Sequence, residues 1–530
     1  MKTKISILLI TVGLLAASCD SMLDVNEDPN NPTEVTPDLV LPTGLNYTAG
    51  YVQQDRGLNH LGNLMMFVFG ESQGFNWYRN EFNYNVTSTF YDNLFDNAYS
   101  SALKQYSVLA NLSNEEYPYY KAIGNIMEAY HFQILVDLYG DIPYTEALKR
   151  GQNATPAYDD AEEVYNNLLD QLTQAVSVID SSMSANAIKE VGDDDTIFKG
   201  DMLKWKQFAH SLKARILARY SDVADQSLIN EELSKIQSSG GGYIEDLAVE
   251  INPGYKYQEE DKQNPYWDEL GKDKSGNKTL SYNATAATQF VLTYLSGTKD
   301  PRISYIFEHD YDGEDWVGID QGQPNNDKET QSPDVISNLK LNGGVLKGAT
   351  MGSAIMTQAE VKLYLAELAF KGFNVGGSAQ TYYEEGIKAS IEYLLKEELA
   401  DEEESAIAFA QSDADSIYKA YINQNTRNVS WASSPDKLEA IITQKWIATM
   451  GINGAQAWFD YNRTGFPNAN PIGATNNPTA PTGFPLSAGP NVSSSDRPVR
   501  LKYTSSEQTR NSENVPPQPD VFTDKIFWAN

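Results

Sequence analysis

Residues 115–144 read EEYPYYKAIGNIMEAYHFQILVDLYGDIPY, and this stretch decides the fold. Ile123, Ile126, Met127, Tyr130, Ile134, Leu135 and Leu138 recur at the three- and four-residue steps of one helix face. Pro118 stands near the start of the periodic run. Gly140 directly follows its last apolar position, where a helix needs a residue that tolerates positive φ, and Pro143 blocks continuation. The spacing therefore predicts a long helix over 115–139 that ends in a rigid turn.

Outward from this helix the same pattern repeats. Helical periodicity appears over 89–112, 159–180, 201–221, 228–238, 284–296, 357–372, 379–398, 413–422 and 434–450, whereas strand signals are weak and short. The helices come in pairs with short connections, as in stacked helical hairpins of tetratricopeptide-like size, although no clean 34-residue repeat is visible. The expected fold class is mainly all-α, a helical-repeat scaffold. Three stretches, 239–283, 297–350 and 463–530, are rich in Gly, Pro, Asn and Asp and resist helix assignment. Irregular segments of that length usually carry function or pack as caps, so a large loop-rich lobe is expected beside the scaffold.

The N-terminus reads as an export signal over residues 1–18. Lys2 and Lys4 precede an apolar run from Ile5 to Ala17, which ends in Leu15-Ala16-Ala17-Ser18-Cys19. At ~1.5 Å per residue the run spans about 20 Å, short of the roughly 30 Å hydrocarbon core of a bilayer. Cys19 is the one cysteine among the 530 residues. Its place after small residues resembles the lipobox of bacterial lipoproteins, where the thiol is lipidated and becomes the first mature residue. Residues 19–43, rich in Asp, Asn and Pro, then form the lipidated N-terminus and an extended tether to a single domain over 44–530. With Cys19 lipidated, no intramolecular disulfide can form.

Charge narrows the range of partners. Loss of Lys2 and Lys4 with the leader takes the 40 basic residues to 38 against 72 acidic ones, a net of −34. Such a surface repels nucleic acid and suits uncharged ligands or divalent cations. Catalytic constellations are scarce. The four histidines, His60, His131, His210 and His309, form no zinc spacing, and His131 and His210 fall within helices as core or interface residues. No nucleophile elbow or phosphate loop occurs. Carboxylate pairs leave a glycosidase open by residue type alone, since such an enzyme needs two carboxyl groups across a cleft. Asp193-Asp194-Asp195 and the group Asp310, Asp312, Glu314 and Asp315 are candidates for a structural calcium ion, without the spacing of an EF-hand. No cofactor is expected.

Several short motifs, in order along the chain, resemble a known family. They are Leu138-Tyr139-Gly140-Asp141-Ile142-Pro143-Tyr144 with Glu146-Ala147; Pro156 with Tyr158-Asp159; Lys199-Gly200-Asp201 with Lys204-Trp205 and Ser211-Leu212-Lys213-Ala214-Arg215; and Asp300-Pro301-Arg302. They continue with Glu360 and Ala366-Glu367-Leu368-Ala369; Gln444-Lys445-Trp446-Ile447 with Ala457-Trp458 and Arg463-Thr464-Gly465; Arg497-Pro498, Arg500-Leu501 and Tyr503; and the terminal Ile526-Phe527-Trp528. This order is similar to the SusD/RagB family of nutrient-binding outer-membrane lipoproteins, and within it to the second SusD-like subgroup. Gln456, Asn462 and Thr504 depart from residues common in that family.

The resemblance implies four tetratricopeptide-like helix pairs capped by an irregular lobe. It also implies a lipid-anchored protein at the outer membrane, facing the cell exterior, that sits as a lid over a SusC-like TonB-dependent barrel. Such proteins capture glycan, or in some members peptide, deliver it to the transporter and catalyse nothing. The alternatives are a surface helical-repeat lipoprotein with an adhesive or structural role, and a surface glycosidase or peptidase.

Binding a neutral sugar from water needs flat aromatic rings beside planar hydrogen-bonding groups. The loop Gly70 to Tyr84 carries that mixture in Phe75, Asn76, Trp77, Tyr78, Arg79, Asn80 and Tyr84. Tyr266 with Trp267, and Tyr311 with Trp316, in the two middle irregular segments, are candidates to complete the ligand face.

Overall fold

The computed structural model describes residues 36–529 apart from 150–151, 184–187, 258, 260–261, 310–314, 323–331, 334, 397–410, 469–483, 490 and 493–496. The export signal and Cys19 lie outside the described residues. Among the described residues, thirteen helices of eight residues or more carry the fold. These are α1 (Pro37–Gln53), α2 (Leu58–Met65), α3 (Leu103–Ala110), α4 (Pro118–Tyr139), α5 (Ala161–Ser182), α6 (Met202–Tyr220) and α7 (Gln226–Ser239). They continue with α8 (Gln289–Gly297), α9 (Gln358–Phe370), α10 (Ala379–Leu395), α11 (Gln411–Ile422), α12 (Lys437–Thr449) and α13 (Gly454–Thr464).

Local chemistry sets most of the boundaries. α4 starts at Pro118, whose missing N–H is no loss in a first turn, and ends at Gly140 with φ 78°. The Gly140 N–H donates to the Val136 carbonyl at 2.8 Å. Asp160, Asp201, Ser378 and Asp436 cap α5, α6, α10 and α12 through their side-chain oxygens. Thr357 and Glu360 form a reciprocal capping box on α9. Each such cap contributes about 1 kcal/mol.

Three elements depart from the sequence reading. The expected helix over 89–112 runs without interruption over 93–110 but is shorter and changes pitch, with one π-helical turn at Ala98–Ala102 between Asn93–Asn97 and α3. The expected helix over 284–296 begins only at Gln289, because residues 285–287 form a strand and the Thr288 hydroxyl caps the helix from Val291 N–H. α1 begins at Pro37, inside the stretch read as an extended tether. Its Pro42 removes one helical hydrogen bond, and burial of Val40, Leu41, Leu45, Ala49 and Val52 offsets that loss.

The strands are four and short among the described residues. β1 (Phe69–Glu71) pairs antiparallel with β3 (Thr285–Ala287), Gly70 opposite Ala286. β2 (Ala248–Ile251) pairs antiparallel with β4 (Ser353–Thr357), with a bulge at Val249/Glu250. They stitch the irregular segments onto the helices.

The helices pack largely in chain order. α3 lies against α1 and α4, α4 against α5, α5 against α6, and α6 against α9; α9 packs on α10 and α12, α12 on α13, and α13 on α2. This is the tetratricopeptide-like stack that the helix pairs predict. Two buried polar networks weld it together. Arg219 of α6 pairs with Asp137 of α4, both fully buried, and Asp137 also accepts from Tyr165 O–H and from Trp528 Nε1–H at 3.0 Å. The C-terminal Trp528 is thereby tied to the middle of the stack. In the second network, Glu367 of α9 meets Arg463 of α13 at 2.7 Å, while Lys445 of α12 lies 2.9 Å from Asp460.

The positions that depart from the family pattern also serve the fold. Gln456 accepts from Arg219 Nη2 at 2.8 Å, Asn462 donates to the Val499 carbonyl, and Thr504 caps the short helix Ser505–Arg510. Arg302 grips Asp300 through two nitrogens, at 2.9 and 2.6 Å, as expected of an arginine facing a carboxylate.

Candidate functional site

The loop after β1 is closed by one carboxylate. Glu71 Oε1 accepts the backbone N–H groups of both Trp77 and Tyr78, the latter at 3.1 Å. Burial raises the Glu71 carboxyl above its ordinary pKa, against the pull of these two bonds. Tyr78 then anchors the loop from within. It is 5% exposed, its hydroxyl lies 2.9 Å from Thr285 Oγ1 on β3, and its ring meets His60 edge-on at 4.9 Å.

With Glu71 and Tyr78 fixed, the neighbouring residue faces outward. Trp77 is 43% exposed and is braced edge-on by Phe75, with ring centroids 5.1 Å apart at 80°. Arg79 and Asn80 are exposed at the start of the short helix Arg79–Phe82. Both line a pocket of about 420 Å³ with Asn83, Asn85, Asn491 and Phe522. Asn85 Nδ2 donates to Asn80 Oδ1 at 3.0 Å, Asn83 Nδ2 donates to the Arg79 carbonyl at 2.8 Å, and Asn83 Oδ1 accepts from Asn491 N–H at 3.1 Å. The result is an exposed tryptophan two residues before a pocket lined by oriented amides; a flat ring and planar amides are the groups suited to the apolar face and hydroxyls of a sugar.

Sequence reasoning found Arg79, Asn80 and Tyr84 but missed the rest of this pocket, and Trp77, which it also named, is not among the lining residues. The run from Asn80 to Asn85, with three asparagines in six residues, carried a signal for Asn83 and Asn85. Nothing local marks Asn491 or Phe522, which the fold brings in from the C-terminal segment. Tyr84 turns inward, and its hydroxyl accepts from Ser487 N–H at 2.9 Å.

The other candidates are placed differently. Tyr266 and Trp267 are each 2% exposed, in the short helix Pro265–Leu270 capped by Asn264. That helix packs against α1, so the two rings fasten the irregular segment to the scaffold and present no face to solvent. Trp316 is half-buried against His309, with ring centroids 4.0 Å apart. Its segment joins the lobe of the Trp77 loop, since Ile319 N–H donates to the carbonyl of Ala287 on β3. Tyr311 lies outside the described residues.

Among the described residues, no group of three or more His, Cys, Asp or Glu side chains is arranged to hold a metal ion. At the first calcium candidate, the carboxylate of Asp195 is engaged by Ile197, Phe198 and Gly200 N–H and by Trp205 Nε1–H. Asp194 accepts from Tyr120 O–H and Gly192 N–H. These two carboxylates organise the turn before α6. Of the second candidate, Asp310, Asp312 and Glu314 lie outside the described residues. His131 and His210 are buried on helices, as their positions in the sequence predict, and burial lowers their pKa values to about 3 and about 4.

The profile of SusD-like proteins, described as starch-binding and associating with the outer membrane, matches residues 29–485. The chain belongs to the SusD-like family. Solved structures of SusD homologues share its fold across nearly its whole length. A homologue from Bacteroides uniformis is 26% identical, with 93% of this chain and 99% of that one covered and a TM-score of 0.69. A chitin-binding homologue from Flavobacterium johnsoniae is 22% identical over 93% of this chain and 98% of its own, at a TM-score of 0.69. A homologue from Bacteroides vulgatus reaches a TM-score of 0.71 at 19% identity, covering 95% and 99%. No curated protein matches the chain. The SusD-like assignment places the chain among carbohydrate-binding proteins of outer-membrane nutrient uptake.

Proposed function

We propose that this SusD-like protein captures an uncharged glycan on the face formed by Trp77, Arg79, Asn80 and the adjoining asparagine pocket, and hands it to a SusC-like TonB-dependent barrel. The protein is anchored through lipidated Cys19 and faces the cell exterior, and it leaves the bonds of its cargo intact. The observation that carries this reading is the outward Trp77 ring, held in place by Glu71 and Phe75 in the loop that leads into the amide-lined pocket. A ring fixed before binding loses little conformational freedom on contact, so its stacking energy is retained as affinity. The family description and the chitin-binding relative both favour polysaccharide over peptide. Trp316, in the same lobe, is the second aromatic expected to meet the ligand.

Trp77→Ala should leave the fold intact and weaken binding of the preferred hexasaccharide, from a panel of starch-, chitin- and cellulose-derived oligomers, at least tenfold, or about 1.4 kcal/mol. Unchanged affinity in calorimetric titration would discard this site. Release of shorter sugars from the panel by the pure protein would discard the non-catalytic reading. Detergent co-purification with a barrel tests the partner.

A further inference from the structure

A second and larger depression lies on the helical stack, apart from the Trp77 loop. It has a volume of about 1740 Å³ and is bounded by α3, α4, α5 and the turn after α4. Ordinary small-molecule pockets run to roughly 300–1,000 Å³, so this groove has room for an oligomer.

Its lining is unusual in kind. Eight of the lining residues carry primary amides, among them Asn111, Asn125, Asn167, Gln171 and Gln174, against four aliphatic side chains. Several of these amides are already oriented. Gln171 Nε2 donates to the Asn125 carbonyl at 3.0 Å and to Glu128 Oε2 at 3.2 Å, while its Oε1 accepts from Tyr144 O–H at 2.9 Å. Tyr144 in turn meets the buried Phe132 edge-on, with centroids 4.9 Å apart, and the rings of Tyr144, Tyr99 and Tyr117 are half-buried in the groove. Of the charged side chains in the lining, Lys104 and Lys149 are exposed, Asp170 is exposed, and Glu128 is half-buried. Glu128 is bonded to an amide, and burial pushes its pKa up to about 7, toward the neutral form.

The geometry points to a second carbohydrate site in this groove, where an extended, uncharged oligosaccharide lies along α3, α4 and α5 between the half-buried rings of Tyr99 and Tyr144 and the amides of Asn111, Asn167 and Gln174. This inference rests on the reading of the chain as a binder of neutral glycan. Amides match sugar hydroxyls because each supplies donors and an acceptor in one fixed plane. The helical walls have their backbone groups bonded internally, so they offer no strand edge to an extended peptide, and aliphatic pockets for its side chains are few. Two grooves on one molecule would let a single long polymer be held at two points, raising retention without any new contact.

The test is hydrogen exchange on the full-length mature protein in detergent, with and without maltohexaose, chitohexaose or cellohexaose. Protection is expected in 104–117, 125–132, 144–149 and 167–174 as well as in 75–85. The exposed substitutions Asn111→Ala and Gln174→Ala should weaken the first set at least tenfold and leave the second unchanged. Protection confined to 75–85 overturns the groove while leaving the Trp77 site standing. Protection confined to the helical segments supports the groove and removes the Trp77 site. No protection at either place by any of the three sugars overturns both, and groove protection by an uncharged peptide alone overturns the carbohydrate assignment. Wild-type protection of the groove in both amide variants overturns it as well.

Discussion

His131→Gln should change how stability depends on pH more than it changes stability itself at any one pH. The residue is fully buried in α4, with Nε2 2.8 Å from Thr48 Oγ1 and the rings of Tyr51, Tyr130 and Tyr106 at 5.1, 5.4 and 5.7 Å. No carboxylate compensates an imidazolium there, and desolvation lowers the pKa from 6.5 to about 3. Between those values the unfolded chain binds a proton that the folded chain refuses. Stability from this group is therefore complete above pH 6.5 and is lost as pH falls toward 3. The full loss is about 5 kcal/mol, of which about 2 kcal/mol falls between pH 7 and pH 5. The raw curve of the wild type will not show this cleanly. Glu360 and Glu128 are raised to about 7 by burial, and their contribution runs the other way, fading as pH rises from 4.5. The difference between variant and wild type cancels those carboxyls. Urea unfolding at pH 7 and pH 5 should show the wild type's advantage over His131→Gln shrinking by about 2 kcal/mol. A gap that stays constant within ~0.5 kcal/mol would mean the buried imidazole takes up a proton without cost, and the reasoning would fail.

Glu360→Gln should show the opposite trend. It keeps an acceptor for Thr357 N–H, and relative to wild type it should gain about 2–3 kcal/mol between pH 5 and pH 8, read from the same unfolding curves. Arg463→Met should cost about 1–3 kcal/mol, because it removes the guanidinium bonded to the buried Glu367 carboxylate and leaves it only Lys371 at 2.9 Å and Lys445 at 3.6 Å, and the loss should persist in high salt where surface pairs fade. Gly62→Ala should destabilise by about 1–3 kcal/mol or more, measured as a drop in Tm. An added methyl group at that position would fall 1.9 Å from Ala455 N, where α2 crosses the start of α13.

The scaffold was legible because its information is local. The α4 periodicity, its proline start and its glycine stop all lie within one 30-residue window, and α5, α6 and α9 announce themselves by caps that sit next to the helices they serve. α1 escaped notice because its Asp- and Pro-containing start, Pro37-Asp38, reads like the tether before it, and only burial against α3 reveals the helix. The strand at 285–287 was hidden for a similar reason. Three small residues, Thr285-Ala286-Ala287, are equally compatible with a helix, and pairing with β1, more than 200 positions away, decides the matter.

That same long-range pairing determines which aromatic residues face solvent. Trp77 and Tyr78 are neighbours of similar chemistry, and the sequence offers no ground for separating them. The Tyr78 hydroxyl finds Thr285 on the paired strand and draws its ring inside; Glu71, on the other paired strand, fixes the adjoining backbone, and Trp77 is left facing water. Trp267 looked as promising as Trp77 in composition, but Asn264 starts a short helix that turns it onto α1. Asn491 enters the pocket from a segment some 400 residues downstream of Asn83. Aromatic content in an irregular stretch therefore identifies a lobe that can bind, whereas the choice of binding face within that lobe is made by hydrogen bonds between strands that are remote in sequence. Thr285→Val tests this directly, since loss of the Tyr78 tether should loosen the Trp77 ring and weaken glycan capture without removing any group that touches the sugar.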